Sequence, residues 1–260
     1  MEILVCVKRV PDPAENEIEI NSDGTDIERD DLVYSVNEWD NYAVEEAIQI
    51  KDKVGGSVTV VTVGDEEADE VLRREMAMGA DKGIHVNDET LEETDGLGIA
   101  KALKAVVEKG NYDLILTGAQ ADDGAAQVGG MLAALLDLPY ASLVNYIEII
   151  DDNTLKIGRE IEGGNQEINE IKMPCVLSIQ TGINEPRYVG IRGIRKVAGV
   201  DIPEMELSDL GLSEDDVAPK VKRLDYFIPE MGEGAEILEG DMEEIAEKLV
   251  ELLKAKGGIK

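Results

Sequence analysis

The sequence predicts an α/β fold: a mostly parallel sheet flanked by helices, with an antiparallel hairpin addition and a C-terminal arm plus helix. Two observations carry this. Up to about residue 139, β-branched apolar runs alternate with stretches of helical periodicity, the pattern of a parallel sheet covered by helices. Beyond that point the pattern changes to closely spaced extended segments and then to a Pro-, Asp- and Glu-rich stretch with little periodicity. At 260 residues the chain is long enough to bury a real core without disulfide staples.

The elements follow in order. Ile3 to Val7 reads as the first strand. Asn41 to Lys53 repeats apolar positions at Tyr42, Ala43, Ala47, Ile48 and Ile50, a helical stripe that Gly55-Gly56 ends. Ser57 to Val63 is a β-branched run, hence a buried strand. Asp65 caps a helix whose inward face includes Val71, Leu72, Met76 and Ala80, and Ile84 to Val86 follows as a strand. Asp95 to Lys109 sets Ile99, Leu103, Val106 and Val107 at helical spacing, with Gly110 as the stop. Leu114 to Thr117 is a strand, and Ala125 to Asp137 a helix with Val128, Leu132 and Leu135 on one face. Ser142 to Ile149 and Thr154 to Ile161 flank the turn Asp151-Asp152-Asn153. Glu167 to Ile171 and Cys175 to Ile179 continue the antiparallel reading. From about Gly199 to Pro229 the chain reads as an arm, and Asp241 to Lys256 as an amphipathic helix with Ile245, Leu249, Leu252 and Leu253 in one stripe. The division expected is a domain over 1–198, with antiparallel strands over about 142–180, followed by an acidic arm and helix over 199–260.

Composition excludes several classes. The cysteines, Cys6 and Cys175, stand alone and His85 is the single histidine, which argues for a reducing cytoplasm and against protein-held zinc or iron–sulfur. His85, between Ile84 and Val86, reads as an edge-strand residue. The apolar opening is broken by Lys8 and Arg9, and no run reaches the length of a membrane span, so a cytoplasmic, soluble chain without direct membrane insertion is expected. A net charge of −32 repels nucleic acid and anionic lipid, and reads as a solvated acidic face. It does not forbid an anionic cofactor, because local backbone donors outweigh a field screened over about 8 Å. No nucleophile elbow or catalytic triad is present.

Three stretches carry candidate chemistry. Thr117-Gly118-Ala119-Gln120-Ala121-Asp122-Asp123-Gly124-Ala125-Ala126-Gln127-Val128-Gly129 follows a buried strand and opens a helix, so free amides near Gly124 to Gln127 would meet a phosphate, with small residues letting it approach. The stretch is neither GxGxxG nor GxxxxGK[ST]. One of Asp122 and Asp123 is expected to cap the helix, the other to face ribose hydroxyls or solvent. An ordinary strand-to-helix turn is the alternative. Asn37-Glu38-Trp39-Asp40 precedes a helix: Asn37 or Asp40 caps it, or Asn37 and the plane of Trp39 lie beside an adenine or flavin ring. Lys8-Arg9-Val10-Pro11-Asp12 stands at the carboxyl end of the first strand, where open α/β sheets bind ligands. There Lys8 or Arg9 would face a ligand, or is surface charge.

Taken together, Val7-Lys8-Arg9-Val10-Pro11-Asp12, Asn37 with Tyr42-Ala43-Val44-Glu45-Glu46-Ala47, Ala77-Met78-Gly79-Ala80-Asp81-Lys82-Gly83, Arg159-Glu160-Ile161-Glu162-Gly163-Gly164 and Asn184-Glu185-Pro186-Arg187-Tyr188 resemble the electron transfer flavoprotein beta subunit. The resemblance implies an adenine-nucleotide-alpha-hydrolase-like domain and a heterodimer with an alpha subunit that holds the electron-carrying FAD, the arm and last helix contacting that partner. It implies a site at Cys6, Lys8, Asn37, Glu38, Trp39, Asp40, Val63, Gly118, Gln120, Ala121, Asp122, Asp123, Gly124, Ala125, Ala126, Gln127 and Val128. This site would hold a second FAD in an NADH-linked, electron-bifurcating form, or a structural AMP in a plain carrier; Val10-Pro11-Asp12 is nearer the bifurcating type. The segment 184–198, with Arg187, Tyr188 and Ile191, resembles the loop that docks on an acyl-CoA-type dehydrogenase or quinone oxidoreductase, Ile191 being its apolar anchor, or it is a helix face grouped with Ile194 and Val197. The remaining alternative is a stand-alone ATP-binding stress-type protein of the same fold.

Overall fold

The computed structural model describes residues 1–230, 232, 234, 235 and 237–259; positions 231, 233, 236 and 260, within the expected arm and tail, lie outside the described residues. The strands are β1 (Glu2–Cys6), β2 (Arg9–Pro11), β3 (Tyr34–Val36), β4 (Ser57–Val63), β5 (Lys82–Val86), β6 (Leu114–Gly118), β7 (Tyr140–Asp151), β8 (Thr154–Ile161), β9 (Asn165–Lys172), β10 (Cys175–Ile179) and β11 (Glu204–Met205). The helices are α1 (Glu38–Val54), α2 (Asp69–Met78), α3 (Gly96–Val107), α4 (Val128–Leu136), α5 (Ile191–Val197), α6 (Glu214–Val217) and α7 (Met242–Ala255).

Nine strands form one sheet in the order β11-β5-β4-β1-β6-β10-β7-β8-β9. Alternate residues of β1 point to opposite faces. Ile3 and Val5 join Ala43, Val44, Ala47 and Ile48 of α1 and Leu72 of α2 in one core, while Leu4 joins Leu103 and Val106 of α3 and Leu132 of α4 in the other. The expected mostly parallel sheet with helices on both faces is what forms. The cap at Asp95 forms, accepting from the Leu97 and Gly98 amides, whereas Asp65 accepts from the Ala68 amide and so caps a short 3-10 turn, Glu66–Ala68, that leads into α2 rather than α2 itself.

Four local expectations are corrected. β10 is parallel, not antiparallel: it inserts between β6 and β7 and runs parallel to both. All of its residues are buried, and the unalternating run Cys-Val-Leu-Ser-Ile suits an interior parallel strand. The antiparallel ribbon is confined to β7, β8 and β9. α1 begins at Glu38 rather than Asn41, since the Asp40 and Asn41 amides both bond the Asn37 carbonyl. α4 begins at Val128 rather than Ala125, because Ala126 sits at φ 55°, a left-handed conformation that no right-handed helix continues through. His85 is not on an edge: β11 covers β5, and the ring is 4% exposed with Nε2 3.3 Å from the Gly64 carbonyl.

Residues 1–19 and 28–224 make one compact unit, which includes buried Leu207, Leu210 and Val217; residues 20–27 and 225–260 make a second. In the second, Ile20 bridges Ile27 and the Tyr226 amide bonds the Gly24 carbonyl at 2.8 Å. Asp241 caps α7 there, and no residue of that helix is buried, so its Leu249, Leu252 and Leu253 stripe stays open. No helix among the described residues is long and apolar enough to cross a membrane.

Glu75 on α2 is wholly buried and neither carboxyl oxygen has a hydrogen-bond partner among the described residues. Burial pushes its pKa from 4.5 up to about 8, Arg74 pulling it down and the charges of Asp40 and Glu45 on α1 adding to the rise. A folded value above the unfolded one means the group's stabilising contribution is complete below 4.5 and is lost as pH rises through about 8. Glu75→Gln should therefore flatten the pH dependence of urea-induced unfolding in that window. It should be the more stable chain at about pH 9, by on the order of 1–3 kcal/mol, with the difference shrinking towards about pH 5.

Candidate functional site

The parallel strands send their chains outward in opposite directions from β1. The connection through α1 leads to β4 and then β5 on one side, and the return through α3 places β6 on the other. Such a switch in strand order opens a crevice at the carboxyl ends of the two central strands. Cys6 closes β1, Val63 closes β4 and Gly118 closes β6, so all three lie along that edge.

Asp40 organises the crevice. It is 5% exposed, and its carboxylate accepts the Lys8 amide at 2.8 Å on Oδ2 and the Gly118 amide at 2.9 Å on Oδ1. Burial pushes its pKa up to about 7, against hydrogen bonds from the Asn37 side chain and from the Lys8 and Gly118 amides that favour the carboxylate. Burial, with the Asp40 charge second, also pushes the Cys6 thiol far above its ordinary range, so it is no thiolate nucleophile. Gly118 has no room for a side chain: a Cβ there would stand 2.7 Å from the Trp39 Cβ and press on the Asp40 carboxylate.

Asn37 is 1% exposed; its Nδ2 donates to the Gln120 carbonyl at 2.8 Å, while Oδ1 has no partner among the described residues. Its expected capping role is not taken up, since no side chain caps α1. Trp39 is half-buried and donates from Nε1 to Gln180 Oε1 at 3.0 Å. Glu38 is exposed.

After β6, residues 122–127 are exposed and wind to the start of α4, where Gln127 is the N-cap residue and makes no side-chain cap bond. The first amide to find a carbonyl there is that of Met131, which bonds Gln127 at 3.0 Å. The amides of Val128, Gly129 and Gly130 are thus the free donors of an open helix end, with the helix's positive pole behind them. Neither Asp122 nor Asp123 caps the helix, which corrects that expectation: the chain turns away at Ala126, and Asp123 Oδ1 instead pairs with Lys8 Nζ at 2.6 Å. Gly129 packs so tightly that a Cβ would stand 2.7 Å from Thr117 Oγ1.

The structure therefore joins Lys8 with Asp40, Gly118 and Asp123, and Asn37 with Gln120, through hydrogen bonds and an ion pair, places Cys6 at the end of β1 and Trp39 beside Asp40 in α1, and sets Ala121, Gly124, Ala125, Ala126, Gln127 and Val128 along the adjoining loop. Arg9 lies apart. It pairs with Glu67 and Glu70 at 2.6 Å each and stands 3.8 Å over the Tyr34 ring, held in the β2–β3 corner. Sequence reasoning missed the hydroxyl chain behind α4, in which Ser178 Oγ lies 2.8 Å from Thr117 Oγ1 and 3.0 Å from Tyr140 Oη, and it missed Gln180. Both depend on β10 lying beside β6, which no local pattern encodes.

The second expected region also takes shape. Tyr188 is 90% exposed and Ile191, the first residue of α5, is 67% exposed; Ile194 is exposed and Val197 buried. Exposed Arg192, Arg195 and Lys196 surround the two isoleucines, a basic patch on a strongly acidic chain.

Comparison with known proteins agrees. The model of the electron transfer flavoprotein domain family matches residues 25–210. The electron transfer flavoprotein subunit beta of Methylophilus methylotrophus is 38% identical, the match covering 97% of this chain and 98% of that protein. The subunit beta of Bacillus subtilis is also 38% identical, over the whole of both chains. The caffeyl-CoA reductase-Etf complex subunit CarD of Acetobacterium woodii is 34% identical over 98% of this chain and 99% of its own.

The crowding at Gly118 yields an expected outcome. Gly118→Ala should cost about 1–3 kcal/mol in urea unfolding by driving Trp39 and Asp40 off the strand end. Gly190→Ala, where nothing lies within 4 Å, should cost far less.

Proposed function

The chain belongs to the beta-subunit family of electron transfer flavoproteins, and from that premise we propose that it binds an adenine nucleotide in the crevice between β1 and β6 and works as half of a heterodimer. The observation that carries this reading is the meeting of two unmet needs in one place. α4 opens with free, uncapped amides, and the buried Asn37 Oδ1 lacks a donor. The first suits phosphate, the second a donor on a base or ribose. The two are linked where Asn37 bonds the Gln120 carbonyl in the loop that leads to α4, and Gly118 and Gly129 allow β6 to pack closely against α1 and α4. In this reading the amides of Val128 to Gly130 hold the phosphates, Asn37 and Trp39 line the base, and Asp40 holds the mouth in shape without touching the ligand.

Two forms of the function differ in the nucleotide. In the first, favoured by Val10-Pro11-Asp12 on the β2–β3 hairpin, it is a second FAD in an NADH-linked bifurcating flavoprotein that passes electrons to a quinone or ferredoxin acceptor; a bound FAD supplies the two-electron redox chemistry. In the second, a carrier between dehydrogenases and an acceptor, it is AMP. The neutralisation of Lys8 by Asp123 favours this one, since the lysine at the mouth is already paired and Arg9 lies apart, held by Glu67 and Glu70. In both, the open stripe of α7 is where the alpha subunit lies, and Ile191 with its basic surround is where a dehydrogenase or quinone oxidoreductase docks. The family supports an electron-carrying role rather than catalysis by this chain alone.

The test is direct. The chain should co-purify with a larger yellow subunit, and acid extraction of the complex should release one adenine nucleotide per beta chain beyond the alpha subunit's FAD, its identity deciding between the forms. Gly129→Ala, which pushes the start of α4 off Thr117, should lower nucleotide retention at least about tenfold. A complex that releases no such nucleotide would reject the reading.

A further inference from the structure

The chain between β10 and α5 is laid along one face of α1. Trp39 holds Gln180, which also accepts the Thr181 amide at 3.0 Å. Asn184 Nδ2 donates to the Tyr42 carbonyl and to Glu46 Oε2, each at 3.1 Å. Arg187 grips Glu45 with three bonds: its amide reaches Oε2 at 3.2 Å, Nε reaches Oε2 at 2.8 Å and Nη2 reaches Oε1 at 3.0 Å. Positions 39, 42, 45 and 46 recur at helical spacing, so one face of a single helix supplies every anchor.

Glu45 is 3% exposed, and Gln49 Nε2 donates to its Oε1 at 3.0 Å, so the acceptor is itself fixed. The bidentate guanidinium contact is among the stronger kinds of hydrogen bond and also sets orientation. What it holds is not a buried cluster. One residue on from Arg187 stands Tyr188, 90% exposed, and four residues on stands Ile191, 67% exposed. Burial therefore does not fix these two side chains, although Val189 between them packs partly buried against the core. The far end of α5 has its own tie, Arg73 Nη1 to the Val197 and Val200 carbonyls at 3.1 Å each, while at the near end Arg187 also reaches Asp52 Oδ2 on α1 at 3.5 Å, so the three closer bonds to Glu45 are the main polar hold on 187–191.

We infer that Glu45 is a positioning residue for partner docking, acting through Arg187 to hold Tyr188 and Ile191 in the presented geometry. This rests on the reading above that the segment is a docking surface. Because the nucleotide mouth lies at the first turn of α1 and Glu45 lies about two turns on, the two functions separate: loss of Glu45 frees the docking segment and leaves the nucleotide in place.

The experiment compares wild-type, Glu45→Gln, Arg187→Lys and Ile191→Ala heterodimers by hydrogen exchange and by electron transfer from a reduced acyl-CoA dehydrogenase. In Glu45→Gln, exchange of the amides from Arg187 to Ile191 should quicken about tenfold while those of β4 and β6 keep their rates. The KM for the dehydrogenase should rise by about the same factor with kcat and nucleotide content unchanged. Arg187→Lys, retaining one charged contact, should fall between. Ile191→Ala should raise KM with exchange unaltered. Unchanged exchange at 187–191 in Glu45→Gln overturns the positioning role, whatever the kinetics. Quickened exchange with KM unmoved in both Glu45→Gln and Ile191→Ala leaves the positioning contact standing and rejects the docking reading instead.

Discussion

One buried carboxylate fixes the working edge of this protein. Asp40 takes the amide of Lys8, just past the end of β1, on one oxygen and that of Gly118, at the end of β6, on the other, so the start of α1 is pinned across the two strands where the sheet changes direction. Hydrogen bonds to a charged group contribute about 1.5–3 kcal/mol and favour the carboxylate, but burial outweighs them and holds the Asp40 pKa up at about 7. The rest follows from that pin. With Asp40 in place, Asn37 is brought to the Gln120 carbonyl, Trp39 to Gln180, and the loop after β6 is directed to the open start of α4.

The second constraint is electrostatic. A chain with 57 acidic and 25 basic residues meets an anion only where the local field differs from the global one. At the crevice the positive potential comes from backbone amides and the pole of α4, which no surface carboxylate can titrate away. The side-chain cations near it are occupied elsewhere: Lys8 with Asp123, Arg9 with Glu67 and Glu70. Arg187 is likewise consumed by Glu45, and the cations left outward on α5 are the ones that surround exposed isoleucines. Pairing thus sorts basic residues into those that hold shape and those that present a surface.

The sequence made the alternation of strands and helices legible because each element is specified locally, by the β-branched run of β4 or by Asp65 and Asp95 at their caps. The ordered motifs also pointed to Asn37 to Asp40 and to 118–128 before any coordinates. What stayed hidden is non-local. The placement of β10 between β6 and β7 depends on pairing with strands up to some sixty residues away, which no local pattern encodes, so a run that reads as antiparallel is in fact parallel to both neighbours. The pairing of β2 with β3 spans a long intervening loop in the same way. The start of α4 slipped by three residues because an alanine at positive φ has no compositional signature. The fates of Lys8, Arg9 and Asp123 were not legible, since in so acidic a chain nearly every cation has several candidate partners.

In the proposed site, amides at the start of α4 hold a cofactor's phosphates beside Asn37. A crystal structure of the heterodimer, isolated without added nucleotide, tests it most directly. The account predicts phosphate oxygens within hydrogen-bonding distance, about 3 Å, of the amides of Val128 to Gly130, and a base or ribose donor on Asn37 Oδ1. A nucleotide lodged elsewhere, with the α4 amides covered by protein side chains, would contradict it.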